Sequence, residues 1–528
     1  MICGVAAACF TGALASAAAG ETEAAKPDNG PTLDNLLQRI DSLERRNKSL
    51  EGQVGELKAL EGEKWLSQER ADQIRSVVAD VIADADSRAS LRQDAMTAGW
   101  NDGFFLASPD GRFKLQVNGL IQPRFMWNHM DGNQAASAPY TVPDLIENRY
   151  GFDSQFNELT FKGHIFSPAI EFMVKTNVSM NNNLALGTTS DNLGNVTNGP
   201  ESGQLYLLDA WARIGFSDEW SLRFGQYRSP YAREQLITEQ NQMAVSRSGI
   251  VRNFGLWYTQ GIEFQYQGDD FRWNLSVDDG GSSNVDGTTL NLVGGRPLNA
   301  PWYTQQVSYS VTSRLEWKPY GAWKDFTSLT SPVGEQQGML VGFSYHTQAT
   351  SPNQLTNTST IGASENYWDA WTLDSQWNFG GASIFVSGFY NYINAQSAYA
   401  NTINGTTNTT PLLDVGYVNA YGVVLQPAIY ILPKWELYAR YEYGYIQFNN
   451  SDSLRGIGGA IADVAQQTPF QVITAGVNWY IDGQDLKWTT DVGFGLNSVG
   501  YSWQNLPAGW RISGDNQIVV RSQLQLMF

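Results

Sequence analysis

Read backward from the carboxyl terminus, Phe528, Leu526, Leu524, Ser522, Val520 and Ile518 fall on one face of an extended chain. Met527, Gln525, Gln523, Arg521 and Val519 fall on the other. One face is mostly apolar and the other mostly polar, which suits a strand with lipid on one side and water on the other. The alternation recurs in about sixteen segments. They lie near 112–128, 156–166, 169–178, 204–216, 219–228, 260–268, 269–278, 305–318, 338–347, 366–378, 382–393, 421–431, 434–446, 470–481, 486–496 and 516–528. The outward face is consistent: Phe113, Leu115 and Val117 in the first segment, Trp220, Leu222 and Phe224 in the fifth, Leu486, Trp488, Val492 and Phe494 in the fifteenth.

The connections alternate in length. Ser167-Pro168, Ser217-Asp218, Gly268-Asp269, Gly380-Gly381, Leu432-Pro433 and Asp482-Gly483-Gln484-Asp485 read as tight turns. Between them stand loops of roughly 17 to 31 residues, rich in Asn, Thr, Gly and Ser. An even number of strands, short turns at one end and long loops at the other describe a bacterial outer-membrane barrel with both ends on the periplasmic side. Trp220, Trp377, Trp435 and Trp488 sit beside short turns, where an aromatic girdle belongs. The connection at 319–337 is long for its side.

A different period precedes the strands. Leu33, Ile40, Asn47 and Val54 share one heptad position, and Leu36, Leu43, Leu50 and Leu57 share the other. Roughly four heptads predict a coiled coil, with Asn47 as its one polar seam residue. A helix over 32–94 would reach on the order of 95 Å. It reads as an oligomerisation stalk or as a periplasmic spacer that touches peptidoglycan. Before it, residues 20–31 are a polar linker with Pro27 and Pro31, and 1–19 read as a signal peptide with small-residue cleavage sites at Ala15-Ser16-Ala17 and Ala17-Ala18-Ala19. No Lys or Arg precedes its apolar stretch. The domain expectation is therefore 1–19 signal, 20–31 linker, 32–97 helical stalk and 98–528 barrel. Both cysteines, Cys3 and Cys9, lie in the signal region, and Val5-Ala6-Ala7-Ala8 is a poor lipidation box before Cys9. After cleavage the chain has no thiol chemistry.

Composition agrees. Charged residues make up 16% and aromatics 12%, with 51 glycines. Soluble proteins average roughly a quarter charged. Mean hydropathy is −0.32, and after the amino terminus no apolar run is long enough for a spanning helix. The net charge of −18 argues against nucleic acid as a partner. Exposed acidic loops account for it, with a cation-binding cell-surface face as the sharper reading.

Catalytic and metal motifs are missing. His129, His164 and His346 are widely spaced, and there is no Gly-x-Ser-x-Gly elbow or phosphate-cradling Gly-Lys loop. The segment 278–287 is rich in Asp, Ser and Asn but lacks EF-hand spacing, so it reads as a surface loop. No enzyme, cofactor or metal site is expected.

Several segments resemble the phosphate-selective porin O and P family. Gly103-Phe104-Phe105-Leu106-Ala107-Ser108-Pro109-Asp110-Gly111-Arg112-Phe113 resembles the family's approach to its first strand. Phe224-Gly225-Gln226-Tyr227-Arg228-Ser229-Pro230-Tyr231 resembles its G-Q-x-K-x-P-F segment. Glu234-Gln235-Leu236 and Ser246-Arg247-Ser248 follow near the family's E-x-L and E-R-S, with Arg228 in place of the commoner Lys and Ser246 in place of Glu. The resemblance spans roughly 99–528. It implies a sixteen-stranded trimeric diffusion channel whose third loop folds inward as a constriction.

That loop is about 229–259. It carries Arg233, Arg247 and Arg252 against Glu234 and Glu239, with Arg223 and Arg228 leading into it. In a low-dielectric constriction these five arginines could select anions. Equally, they could pair with Glu234 and Glu239 and brace the loop. Elsewhere alternation points Lys114, Arg124, Lys162, Lys175, Arg213, Arg272, Arg314, Arg440 and Arg521 inward. It also points inward Glu158, Glu171, Asp209, Glu263, Glu316, Asp374, Glu436, Glu442 and Asp491. The near balance weakens any transfer of phosphate specificity.

The expectation is an all-β transmembrane barrel of about sixteen antiparallel strands, preceded by an α-helical coiled coil. It sits in the outer membrane and passes small hydrophilic solutes or ions, anions such as phosphate among them. Its partners are membrane lipid, two further copies in a homotrimer, and the assembly machinery, which would recognise Phe528. The alternative is a structural protein whose coil spaces or tethers the membrane to the cell wall.

Overall fold

The computed structural model describes residues 33–65, 76–77, 96–131, 147–179, 204–285, 290–294, 307–350, 366–395, 398–399, 411–413, 416–449, 469–500, 503, 505–511 and 515–528. The signal and linker expectations, and most of 66–95, lie outside them.

In the amino-terminal unit, α1 (Leu33–Trp65) is one helix, about 50 Å long at 1.5 Å per residue. Ile40, Leu43, Leu50 and Val54 of the heptad seam are exposed along it. No helix is long and apolar enough to cross a membrane among the described residues, which says nothing of strands.

The second unit, from Arg92 to Phe528, is built on sixteen long strands. They are β1 (Lys114–Asp131), β2 (Asn148–His164), β3 (Ile170–Ser179), β4 (Gln204–Gly215), β5 (Trp220–Arg228), β6 (Tyr258–Gln267), β7 (Phe271–Asp278) and β8 (Val307–Tyr320). There follow β9 (Gly338–Thr350), β10 (Asn366–Asn378), β11 (Ala382–Ala395), β12 (Gly416–Leu432), β13 (Trp435–Phe448), β14 (Phe470–Asp482), β15 (Leu486–Gly495) and β16 (Asp515–Met527). Each is antiparallel to the next, and β16 pairs back onto β1, so the sheet closes. Closure removes the exposed edges that an open sheet would leave. The second strand begins at Asn148, eight residues earlier than its alternation suggested, because Asn148 to Ser154 pair with Pro123 to His129.

The seam is sealed in two pieces. β16 pairs with β1 from Asp131 down to Leu120, and Phe528 exchanges both backbone hydrogen bonds with Gly119. Below that point a short hairpin takes over. Its strand Phe104–Ala107 pairs with Lys114–Val117, and Thr97–Trp100 pairs with Phe104–Ala107. Inward Gln116 ties the hairpin tip by donating to the Asn101 and Asp102 carbonyls at 2.9 and 2.8 Å.

Outward positions carry the apolar belt: Leu373, Phe343, Ile262, Phe264 and Leu526 are exposed. Aromatics cluster at the short-turn rim, where Trp435 stacks on Trp479 at 5.2 Å and Trp220 lies 4.9 Å from Tyr266.

The interior corrects the simple apolar-out, polar-in reading. On β10 to β14, inward positions also hold apolar side chains, among them Trp368, Ala370, Phe385, Phe389, Val418, Val424 and Phe470. They bury against three inward segments. One is the third long connection, 229–257, with α2 (Arg233–Leu236) and α3 (Gly249–Phe254). The second is the last long connection, whose Trp503 and Trp510 are buried. The third is the long connection on the short-turn side, 321–337, which buries Phe326 and Leu329. A barrel of sixteen strands is wide enough to hold such segments and still leave an aqueous gap.

Candidate functional site

The inward loop descends from the end of β5 and crosses the bore. Its helix α3 starts at Ser248, whose hydroxyl accepts a hydrogen bond from Val251 N–H at 3.1 Å. Glu442 on β13 accepts from the Gly249 N–H at 2.5 Å, so a carboxylate faces the first turn. On its apolar side, Phe254 meets Phe389 at 5.8 Å and Trp503 at 6.0 Å between ring centroids. Asn253 exchanges hydrogen bonds with the backbone of Asn505, joining the third and last long loops.

Glu239 is the hub of the loop. Arg228 Nη2 reaches it at 2.5 Å and Arg247 Nη1 at 2.9 Å, and Lys175 on β3 lies at 3.4 Å. Lys175 is shared with Glu158 at 2.6 Å. Burial alone would raise the Glu239 carboxyl, but Arg228, Arg247 and Lys175 outweigh it and hold it well below the usual carboxylate range. Arg228 also donates to Tyr258 Oη and to the carbonyls of Gln235 and Ile237. Arg247 donates to the carbonyls of Ile237 and Glu234 and lies over the Trp257 ring. Lys487 on β15 pins the next stretch by donating to the Gln242 carbonyl at 2.7 Å and the Gln240 carbonyl at 3.1 Å. Arg228 and Arg247 are thus tied into the loop's own anchorage.

The other three candidate arginines differ. Arg223 pairs with Glu263 and stacks over Tyr227 at 4.4 Å. Arg233 donates to the Phe326 carbonyl and to Gln376 Oε1, so it joins the inward loop to the 321–337 connection. It forms no ion pair among the described residues, and burial lowers its pKa against the opposing pull of Glu316. Arg252 lies among other guanidiniums. Burial, and then Arg124, Arg247 and Arg521, push it down to about 10, still charged at neutral pH.

Most remaining inward charges meet an opposite partner. Arg124 pairs with Asp153, Arg213 with Glu171, and Arg521 with Asp491 at 2.6 Å. Arg314 sits between Glu316 at 3.0 Å and Asp374 at 2.9 Å and also donates to the Tyr231 carbonyl at 2.7 Å. Arg440 lies 3.5 Å from Glu234 and 3.8 Å from Glu442. Lys114 lies over the Phe105 ring. Lys162 is half-buried, with no hydrogen bond or ion pair among the described residues. Glu436 is held by neutral donors, Tyr480 at 2.6 Å, Asn478 at 3.0 Å and Thr330 at 2.5 Å. Thr330 belongs to the 321–337 connection, so this carboxylate fastens it. His346 is buried between Thr312 and Gln348. No cluster of metal-ligating side chains occurs among the described residues.

The inward use of 321–337 and of the last loop was not legible in advance. For the first, its anomalous length was the only signal. For the second, two tryptophans in a Gly- and Asn-containing loop, Trp503 and Trp510, could have been read as buried anchors.

The sequence matches the family profile described as phosphate-selective porin O and P over residues 138–498, well over half of the chain. A comparison with curated proteins returns no match. Among solved structures, the anion-selective porin from Comamonas acidovorans aligns at 11% identity and a TM-score of 0.46, covering 78% of this chain and 99% of that one. The outer membrane channel DcaP of Acinetobacter baumannii aligns at 10% identity and a TM-score of 0.45, covering 80% and 99%. OmpT of Vibrio cholerae, in its in-vitro folded trimer form, aligns at 10% identity and a TM-score of 0.43, covering 78% and 99%.

Proposed function

The chain belongs to the phosphate-selective porin O and P family, and from that premise we propose that it passes small hydrophilic solutes and ions by passive diffusion across the outer membrane. The observation that carries this reading is a closed sixteen-stranded barrel with an apolar outside and a charged inside crossed by residues 229–257. Those residues would form the constriction. They carry Arg233, Arg247 and Arg252 against Glu234 and Glu239, one positive charge net in a chain of net charge −18.

A preference for anions, phosphate among them, would then rest on Arg233, which forms no ion pair among the described residues, and on the cluster of guanidiniums that Arg252 makes with Arg124, Arg247 and Arg521. Arg228 and Arg247 are spent on Glu239, and Arg223 on Glu263. The preference is modest, because the wall charges pair off almost completely. Reversal potentials across a KCl gradient test it. Anion preference should fall when Arg233 and Arg252 are changed together to Gln and should survive Arg247→Gln. An unchanged reversal potential in the double variant would move selectivity elsewhere.

Assembly follows the same reading. Three copies associate through their barrels, and the exposed seam of α1 zips into a coiled coil in the periplasm, where it can reach towards peptidoglycan. The apolar run of Ile40, Leu43, Leu50 and Val54, open in a single chain, supports this. Phe528 at the end of β16 is the feature offered to the assembly machinery.

A further inference from the structure

Resting on the channel reading, we propose that solutes pass along the inner wall of β2 to β5, and that Trp211 is a platform for uncharged, ring-bearing polar solutes of saccharide type. The route follows from where the bore is filled. Inward side chains on β8 to β16 lie buried beneath the three inward segments, as Thr312, Gln376, Asn391, Gln426 and Gln523 illustrate. The partly exposed inward side chains gather on the opposite wall: Glu171 and Met173 on β3, Tyr206, Trp211 and Arg213 on β4, Arg223 on β5. Water reaches these side chains in the bore, so they line the open part.

Their arrangement has a definite chemistry. Trp211 lies in register with Met173 on one side and Gly225 on the other. Gly225 has φ +125°, a conformation side-chain-bearing residues rarely adopt, and a Cβ there would run into the Ala210 carbonyl. The wall beside the indole is therefore recessed, and the partly exposed indole stands between polar rows with the Arg223 guanidinium over one of its faces. On the short-turn side lies the Arg213–Glu171 pair, and Arg223, paired with Glu263, stands 5.6 Å from the indole. On the long-loop side, Asp209 is in register with Lys175.

The cations beside the indole, Arg213 and Arg223, each have an anion partner, and Lys162, in register with Met173 on β2, adds one further donor to the polar rim without an ion pair among the described residues. Hydrogen-bond donors and acceptors flank an aromatic face, and together they suit a molecule with an apolar C–H face and a rim of hydroxyls. Tyr206 pairs with Asn177, four residues along β3 from Met173, because a bulge in β4 between Asp209 and Leu207 keeps it on the inward face, and it places a second ring about 13 Å further along the strand towards the long-loop end. A saccharide entering there would meet two aromatic surfaces in turn.

The test uses the full-length protein in planar bilayers. Ion current through open channels is recorded while glucose, or the acyclic sorbitol of similar size, is added to one side. Glucose should interrupt the current in a saturable way, at a half-blocking concentration at least about five-fold below that of sorbitol, the ratio expected of one stacked face. Trp211→Ala should remove the difference, and Trp211→Phe should keep most of it. Equal block by the two solutes in the unaltered protein, or a difference that survives Trp211→Ala, would overturn the platform while leaving the channel intact. Failure of the protein to open at all would overturn the channel reading and this inference with it.

Discussion

Phe528 and Gly119 close the barrel as a pair. The Phe528 N–H donates to the Gly119 carbonyl at 2.9 Å, and the Gly119 N–H donates back at 2.6 Å. The Phe528 ring occupies the space a Cβ on residue 119 would need, 2.5 Å from its Cζ. The terminal aromatic that marked the last strand in the sequence is therefore also a packing element of the closed seam.

Gly119→Val should loosen that seam. A branched side chain must displace the ring, an overpacking change that typically costs about 1–3 kcal/mol. Heat-modifiable gel mobility of the folded barrel should show unfolding at lower temperature. A variant as heat-resistant as the parent would mean that the ring contributes nothing to closure.

Arg314 and Asp374 form a two-pronged buried pair, both bonds at 2.9 Å, and Arg314 also holds the Tyr231 carbonyl at the start of the inward loop. Asp374→Ala leaves a buried guanidinium with Glu316 as its one remaining carboxylate partner among the described residues. Breaking one partner of such a pair costs about 3–5 kcal/mol. Denaturant unfolding in detergent should show a loss of that size, and the loop base should become open to protease. A loss under about 1 kcal/mol would contradict the assignment.

Glu239 makes the loop acid-sensitive in a defined window. Its folded pKa is depressed, so its stabilisation is complete above the ordinary glutamate value of roughly 4.3 and is lost as pH falls through the lower folded value. Channel current should stay quiet from neutral pH down through the ordinary carboxylate range and flicker only below it. Glu239→Gln should flicker at every pH. Flicker that already begins near pH 6 in the parent protein would assign the transition to another group.

The heptad seam gives a separable prediction. Leu43→Asn with Leu50→Asn should weaken association of the purified α1 segment in sedimentation, while the barrel keeps its heat-modifiable mobility. Unchanged association would remove the coil from assembly.

The sequence carried the wall of this molecule and little of its filling. Strands such as 382–395 and 435–448 were legible because lipid enforces a strict period of two on the outward face. The inward face has no such constraint. Where Trp368, Phe385 and Val418 also turned apolar, alternation gave no reason to expect an internal core, because the partners lie far away at Phe254 and Trp503. The balance of inward charges was readable, but the pairing of Arg228 and Arg247 on Glu239 depends on how the loop folds back, which spacing alone does not fix. Trp211 has no distinctive signal in the sequence, because alternation does not separate an indole that faces the open bore from the aromatics that fill it.

The central claim is that this barrel holds an open aqueous path. Purified protein added to a planar bilayer in KCl tests it most directly. Discrete ohmic openings, grouped in threes, are expected, and they should persist when residues 20–97 are removed. Folded, membrane-inserted protein that stays silent at every salt concentration would contradict it.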